Sequence, residues 1–190
     1  MTVFFGFGYS LMMAVGNYFL LGFIPSWLTH NMHQSLKNTN LYISLALFVS
    51  IILIPVMGYL SDRYGRRPIV AVGAIGFIIF SYPILYLIEN DTVTSICIAM
   101  VIYGIALAPT AAVMATAIAE MFPFRARCTG SALGYNLALV LFGGTTPIIA
   151  EAILNSTGSY NLIFWFISVI AVIHLLFILF SKETYKNSID

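Results

Sequence analysis

The chain has 190 residues, of which 61% are hydrophobic and only 8% are charged, and its formal net charge is +1. A soluble domain carries about 25% charged residues, and a single core of this size cannot bury so much apolar surface. The small net charge excludes the electrostatic footprint of a nucleic-acid-binding module, and the abundance of apolar residues excludes intrinsic disorder. A polytopic membrane protein is the class that remains.

Six apolar blocks follow one another along the chain, separated by short polar breaks. A helix of about 20 residues crosses a bilayer, and backbone amides cannot stay unpaired in lipid, so we expect each block to be a helix. The blocks do not alternate apolar and polar residues as the strands of a membrane barrel do. The predicted spans are residues 3–28, 40–60, 68–88, 93–119, 129–154 and 161–181. We therefore predict an all-α fold, with residues 1–190 forming a single six-helix transmembrane domain.

The basic residues predict the orientation of the chain, because nearly all of them fall on one side of the predicted membrane. The opposite side has only Lys37, in the break between the first two spans. Loops rich in Lys and Arg stay in the cytoplasm, so we expect the second and fourth breaks and both termini to be cytoplasmic. The basic residues of that side are Arg63, Arg66, Arg67, Arg125, Arg127, Lys182 and Lys186.

Small residues recur at three- and four-residue steps on the fourth and fifth spans. Such faces let helices approach closely in lipid, and we expect them to be helix contacts. Pro109 and residues 143–147 lie deep within these spans, where proline tends to kink a helix. The bend is either part of a rocking motion or purely structural. The small residues are Gly104, Ala108, Ala111, Ala115 and Ala119 on the fourth span and Gly130, Gly134 and Ala138 on the fifth.

The second break reads GYLSDRYGRR over residues 58–67 and is called the signature loop below. Its two glycines permit a tight turn, and its aspartate can pair with the three arginines or cap a helix N-terminus. The loop resembles the G-x-L-x-D-R-x-G-R-R/K signature of the major facilitator superfamily, which implies a gating latch braced against an opposite half. The alternative is that its arginines only set topology. The gating candidates are Gly58, Asp62, Arg63, Gly65, Arg66 and Arg67.

Further segments are similar to the metabolite:proton symporter branch of that superfamily. Residues 23–33 resemble the outer end of its helix seven, and residues 119–127 resemble its loop between helices ten and eleven. Residues 135–147 look like its helix eleven, and residues 182–184 are similar to the end of its helix twelve. The resemblance covers nearly the whole chain and implies the C-terminal half of a twelve-helix transporter.

The resemblance implies membrane transport of a small solute by proton symport with alternating access. The solute would be an osmolyte such as proline or betaine, or a carboxylate, and the location would be the bacterial inner membrane. The first apolar run begins almost at Met1, so we expect half or a remnant of a full transporter, with a separate N-terminal six-helix half as a candidate partner. The alternative is a truncated membrane protein that transports nothing and has a structural or assembly role.

Polar side chains inside the predicted spans are costly in lipid and therefore mark candidate sites. By the resemblance, the first and fourth spans line the central cavity and the fifth adjoins it. Amides and hydroxyls there suit the oxygens of a small zwitterionic or anionic solute, and aromatic faces suit a quaternary ammonium. Interhelical hydrogen bonding is the alternative for each residue. The substrate-binding candidates are Asn17, Tyr18, Tyr103, Tyr135 and Asn136.

Ionisable side chains near or within the spans give a second group of candidates. Glu151, near the outer end of the fifth span, is the proton-coupling candidate, with solvation at the interface as the alternative. Glu120 is expected to be solvated, or paired with Arg125 or Arg127. His174 lies in the last span, which is peripheral in the family, and we expect no proton role for it.

We predict that the protein is not an enzyme, because the sequence contains no phosphate loop and no nucleophile constellation. We predict no cofactor and no metal site. His30 and His33 are only two candidate ligands, with no cysteine or carboxylate nearby to complete a site. The expected partners are membrane lipids, the solute and protons, and no nucleic acid is expected.

Overall fold

The computed structural model describes residues 2–181, and this part of the chain has six helices long and apolar enough to cross a membrane. No strand occurs within the described residues. Lys182, Lys186 and the segment 182–184, on which two expectations rest, lie outside them. The helices are α1 (Thr2–Asn31), α2 (Leu36–Tyr64), α3 (Arg66–Glu89), α4 (Val93–Met121), α5 (Phe124–Thr157) and α6 (Asn161–Phe180).

Local polar groups explain why these helices begin and end beyond the apolar blocks. The Ser35 hydroxyl accepts a hydrogen bond from the Asn38 N–H at 3.3 Å, which caps the start of α2. Thr92 caps α4 in the same way. Gly158 ends α5 with a φ of 64°, a left-handed conformation that favours glycine. Such caps satisfy backbone groups that have no intrahelical partner.

Two of the helices are interrupted by π-helical turns. In α1 these are Phe19–Phe23 and Trp27–Asn31, and in α5 the turn is Leu139–Gly143. A proline lacks the N–H that bonds the carbonyl four residues earlier, which favours irregular turns beside it, and Pro147 follows the turn in α5. In contrast, α4 is a continuous α-helix through Pro109.

The helices pack around two central members, α1 and α4. In each of these, 61% of the most apolar stretch is buried in the bundle, against 22% in α2 and in α5. Helix α4 contacts α2 and α3, α1 contacts α5, α6 and α4, and α3 contacts α6. The α2–α3 and α4–α5 connections lie at one end of this up-and-down bundle, here called the signature end.

Small residues allow the closest helix contacts. A Cβ on Gly104 would lie 2.5 Å from the carbonyl oxygen of Ala46, so α2 and α4 can meet there only without a side chain. A Cβ on Gly134 would lie 3.0 Å from the carbonyl carbon of Gly6, which joins α5 to α1 in the same way. The expected stripe does not continue along α4, because Ala115 is exposed. The expectation of a helix contact is therefore wrong for Ala115.

Candidate functional site

The signature loop turns at a single glycine. Gly65 joins α2 to α3 with a φ of 105°, in a region that favours glycine, and its N–H donates to the Ser61 carbonyl at 3.0 Å. Gly58 lies inside α2, and nothing is within 4 Å of a Cβ placed on it. The expectation that Gly58 takes part in the turn is therefore wrong, because α2 continues past it to Tyr64.

Arg66, the first residue of α3, gathers the polar groups of the signature end. Its guanidinium donates to the Ser61 hydroxyl at 2.6 Å and to the Asp62 carboxylate. It also donates to the Glu120 carboxylate, through Nη2 at 2.9 Å and Nε at 3.3 Å. The side chains of Arg66 and Glu120 are 12% and 15% exposed, whereas that of Asp62 is 67% exposed. The Arg66–Glu120 ion pair is thus largely buried, whereas Asp62 binds Arg66 from the surface.

The expectation that Glu120 is solvated, or paired with Arg125 or Arg127, is wrong. Glu120 lies in the last turn of α4, which packs against the start of α3, and its carboxylate therefore meets Arg66. Arg125 is exposed on the connection to α5, and the Arg127 guanidinium lies 5.9 Å from the Phe124 ring centre. The ion pair joins α3 to α4 at the signature end.

The next arginine of the loop makes a different contact. Arg67 Nε donates to the Ile178 carbonyl at 3.0 Å, and its Nη2 donates to the Leu179 carbonyl. These carbonyls belong to the last turn of α6, where a positive group is favoured by the helix dipole. Arg63 is exposed, 5.6 Å from the Tyr64 ring centre. The loop therefore bonds to its own bundle through Arg66 and Arg67, and exposes Asp62 and Arg63.

The intramembrane candidates of α1 and α4 have different environments. The Asn17 amide donates to the Met13 sulfur at 3.3 Å. Tyr18 is 38% exposed halfway along α1, and its ring packs on α5, 3.0 Å from where a Cβ of Gly143 would lie. Tyr103 is buried, and its hydroxyl donates to the Gly16 carbonyl at 2.7 Å. Tyr18 is thus the residue of this group with an accessible face, and Tyr103 makes an interhelical hydrogen bond.

The candidates of α5 lie nearer the signature end. Tyr135 is partly buried and lines a cleft of about 310 Å³ between α4 and α5, and Asn136, the next residue, is exposed. The structure therefore does not gather the five substrate-binding candidates into one pocket. The residues lining the cleft are Met114, Ala115, Ile118, Ser131, Ala132 and Tyr135.

Glu151 lies at the end of the bundle opposite the signature loop. The hydroxyl of Ser26 on α1 donates to its carboxylate at 3.4 Å, a long contact between two accessible groups. Glu151 itself is exposed. Glu151 thus lies at the surface of the bundle, where α1 and α5 meet.

Reasoning from the sequence missed buried polar contacts between helices. His174 on α6 is fully buried, and its Nδ1 lies 2.8 Å from the Gly8 carbonyl oxygen on α1. The hydroxyls of Ser81 on α3 and Ser168 on α6 are 3.2 Å apart. A polar residue on a helix this apolar signals an inward face, but its partner becomes visible only when the helices are packed.

The sequence of the chain is similar to a known protein family and to known transporters. Residues 5–189 match the family described as Major Facilitator Superfamily. The chain is 34% identical to the glycine betaine/proline/ectoine/pipecolic acid transporter OusA of Dickeya dadantii, and 32% identical to the proline/betaine transporter of Escherichia coli K12. Each match covers 93% of this chain and 35% of the relative. The chain therefore spans about a third of the length of these relatives.

Solved structures of low sequence identity share the fold. The inward-open conformation of the xylose transporter XylE from E. coli matches with a TM-score of 0.64 and 19% identity. The match covers 96% of this chain and 47% of XylE. A double-tryptophan mutant of XylE matches with a TM-score of 0.67. The six-helix arrangement is thus that of about half of a solved transporter.

Proposed function

Because the chain belongs to the major facilitator superfamily, a family of transporters and not of enzymes, we propose that it is one six-helix half of a solute transporter. It is an integral membrane protein with six membrane-length helices. The observation that carries the proposal is its similarity to proline/betaine transporters over 93% of its length, although it spans only 35% of theirs. In the proposal, a second half supplies the remaining helices and the site forms where the halves meet.

The proposed solute is a small osmolyte such as proline or glycine betaine, with a carboxylate as the second candidate. The accessible ring of Tyr18 supports this choice, because an aromatic face attracts a quaternary ammonium. Asn17, on the neighbouring position, supplies an amide. Tyr103, Tyr135 and Asn136 remain predicted contributors, in an arrangement that the second half would complete.

We also propose proton symport, with Glu151 as the group that takes up the proton. Its support is its place at the α1–α5 contact, where the Ser26 hydroxyl reaches its carboxylate. Motion of α5 relative to α1 would change that contact. One π-helical turn of each helix, Phe19–Phe23 in α1 and Leu139–Gly143 in α5, lies between it and the signature end. In the proposal, proton uptake at Glu151 and solute binding near Tyr18 favour the same motion.

The proposed orientation has the signature end and both termini in the cytoplasm of a bacterium, within the plasma membrane. Its support is that Arg63, Arg66, Arg67, Arg125 and Arg127 all lie at the signature end, while Lys37 lies at the other. Basic residues are retained on the cytoplasmic side of a membrane.

Uptake in whole cells tests the proposal. The chain is expressed in a bacterial host that lacks proline and betaine carriers, alone and together with the N-terminal six helices of the E. coli relative. We expect uptake of labelled proline or glycine betaine only when both halves are present, and loss of uptake with an uncoupler. The Tyr18→Leu variant is expected to lose betaine uptake about tenfold, and Glu151→Gln is expected to abolish proton-driven accumulation.

Correct insertion is the control for this experiment, because an absent protein transports nothing. Both halves are followed by an epitope on each, and their association is measured by co-purification. If the halves co-purify from the membrane and neither osmolyte nor a dicarboxylate enters the cells, the transport proposal is wrong and a structural role is favoured.

A further inference from the structure

His174 is a buried ionisable side chain that plays no part in the proposed transport site. It lies on α6 with 0% of its surface exposed, and its Nδ1 is 2.8 Å from the carbonyl oxygen of Gly8 on α1. A carbonyl oxygen only accepts hydrogen bonds, so Nδ1 must carry the hydrogen. The contact therefore selects the neutral tautomer with the hydrogen on Nδ1.

The second ring nitrogen of His174, Nε2, takes no part in this hydrogen bond. Within the described residues, Nε2 of His174 is buried and has no hydrogen-bond partner. Protonation of the ring would place a hydrogen and a positive charge at Nε2, and a buried charged donor without an acceptor is unfavourable. The closed contact therefore accommodates the neutral ring and not the protonated one.

Helices α1 and α6 are in close apolar contact beside this histidine. A Cβ on Gly8 would lie 2.2 Å from Cγ of Phe177, so α1 and α6 can meet there only because Gly8 has no side chain. The Phe177 ring centre is 4.8 Å from that of Phe4 and 6.2 Å from that of Phe7. The His174 ring itself is 0% exposed, so solvent does not reach it in this contact.

No described group near the ring supplies a compensating negative charge. From α1, Tyr9 faces this end, but its hydroxyl lies 3.1 Å from that of Ser181. From α3, Arg67 is bonded to the last carbonyls of α6. Neither α1 nor α6 contains an acidic residue. The other ionisable groups of α1, α3 and α5 between this contact and the opposite end are Tyr18, His30, Tyr82, Tyr86, Glu89, Tyr135 and Glu151.

We propose that His174 is a proton-binding site that holds α6 against α1 while it is neutral and releases the contact when it takes up a proton. The ring lies six residues before the end of α6, or about 9 Å from the signature end at 1.5 Å per residue. Fraying of the last turns would bring water to it. This inference goes beyond the proposed transport function and does not depend on it.

The direction of the pH effect follows from which state binds the proton. The closed contact holds the ring without a proton on Nε2, whereas the open contact exposes an imidazole with an ordinary pKa of about 6.5. Acid therefore favours the open contact. The ratio of open to closed is independent of pH well above 6.5 and rises up to about tenfold per pH unit below it.

Hydrogen–deuterium exchange of the purified chain in lipid nanodiscs tests the proposal between pH 8 and pH 5. After correction for the intrinsic pH dependence of exchange, we expect faster exchange below about pH 6.5 in residues 2–12 of α1 and residues 170–180 of α6. The central part of α4 is expected to keep its protection. Nitrogen-15 spectra of labelled histidine should show the neutral ring with its hydrogen on Nδ1 at pH 8.

Variants of similar size distinguish the effect of the His174 hydrogen bond from the effect of proton binding at His174. His174→Asn keeps a donor in the place of Nδ1 but binds no proton, so we expect protection to be retained and its pH dependence to be lost. His174→Leu has no donor, and exchange should be faster at every pH. His30→Asn and His33→Asn, which change exposed histidines at the other end, should leave the pH dependence unchanged.

The proposal is overturned if exchange in α1 and α6 does not change with pH, or if the change survives in His174→Asn. A histidine spectrum with the hydrogen on Nε2 also overturns it. This spectrum is recorded on the natural chain and therefore does not depend on whether a variant folds. Because neither solute nor second half is present, failure here is distinct from failure of the transport proposal.

Discussion

At the scale of single residues, the Arg66–Glu120 pair is the contact that most affects stability at the signature end. Both side chains are largely withdrawn from water. The Arg66 guanidinium donates to the Glu120 carboxylate through Nε and Nη2, and to the Ser61 hydroxyl through Nη1. Withdrawing two charges from water is unfavourable, and the pair offsets that cost only while both partners are present. Removal of one partner leaves the other buried without its counter-charge.

The Arg66→Gln variant should therefore be clearly less stable than the natural chain. Glu120 would remain partly buried without a cation, and we expect a loss of about 2 kcal/mol in the free energy of unfolding. Unfolding in mixed detergent micelles, followed by circular dichroism, measures it. The matched control is Arg63→Gln, which removes an exposed arginine of the same loop and should cost less than about 0.5 kcal/mol. Equal losses in the two variants would contradict the prediction.

At the scale of helices, the glycines of α2 and α4 differ in whether packing requires them. Gly104 of α4 lies against the backbone of α2, and its carbonyl accepts a hydrogen bond from the Ser50 hydroxyl at 3.0 Å. Gly58 of α2 faces open space within the described chain. Only the first glycine is required by packing within this bundle, because a side chain there would force two backbones apart.

Substitution of these glycines by alanine should therefore have opposite consequences. Gly104→Ala should separate α2 from α4 and lower the free energy of unfolding by about 1–3 kcal/mol. Gly58→Ala should leave stability unchanged or slightly raised, since alanine favours a helix more than glycine does. Thermal unfolding of both variants in the same detergent decides between them. A destabilised Gly58→Ala chain with an unaffected Gly104→Ala chain would show that the packing described here is wrong.

At the scale of the whole molecule, charge and burial are both unevenly distributed. Charge differs between the two ends of the bundle, whereas burial differs between its helices. The arginines of the described chain collect at the signature end, which predicts orientation. Burial instead distinguishes α1 and α4 from α2 and α5, whose most apolar stretches are largely uncovered. In the proposed function, these uncovered faces lie against lipid or against the proposed second half.

The native cysteines test the proposed orientation. Cys128 is exposed at the signature end, and Cys97 is partly buried near the start of α4 at the other end. A membrane-impermeant maleimide should label Cys128 in inside-out vesicles and not in right-side-out vesicles. The Cys128→Ser variant should lose this labelling. Labelling of Cys128 in right-side-out vesicles would mean that the signature end is not cytoplasmic.

The sequence alone predicted the helical class, the number of spans and the family, because each depends on local information. Apolar length defines a span, and the spacing of residues 58–67 defines the signature. It did not predict the partner of Glu120, since five arginines were near it along the chain or at the same end. It also treated Gly58 and Gly65 alike, although only the backbone conformation distinguishes a glycine in a turn from one inside a helix.

Tertiary structure decided which polar groups meet, because those groups are far apart along the chain. Arg66 reaches Glu120 across α3 and α4, Arg67 reaches the end of α6, and His174 reaches the Gly8 carbonyl. In lipid the apolar faces of these helices are nearly equivalent, so hydrophobicity does not select their neighbours. Close packing at glycines and the pairing of buried polar groups do select them, and both depend on the positions of all six helices.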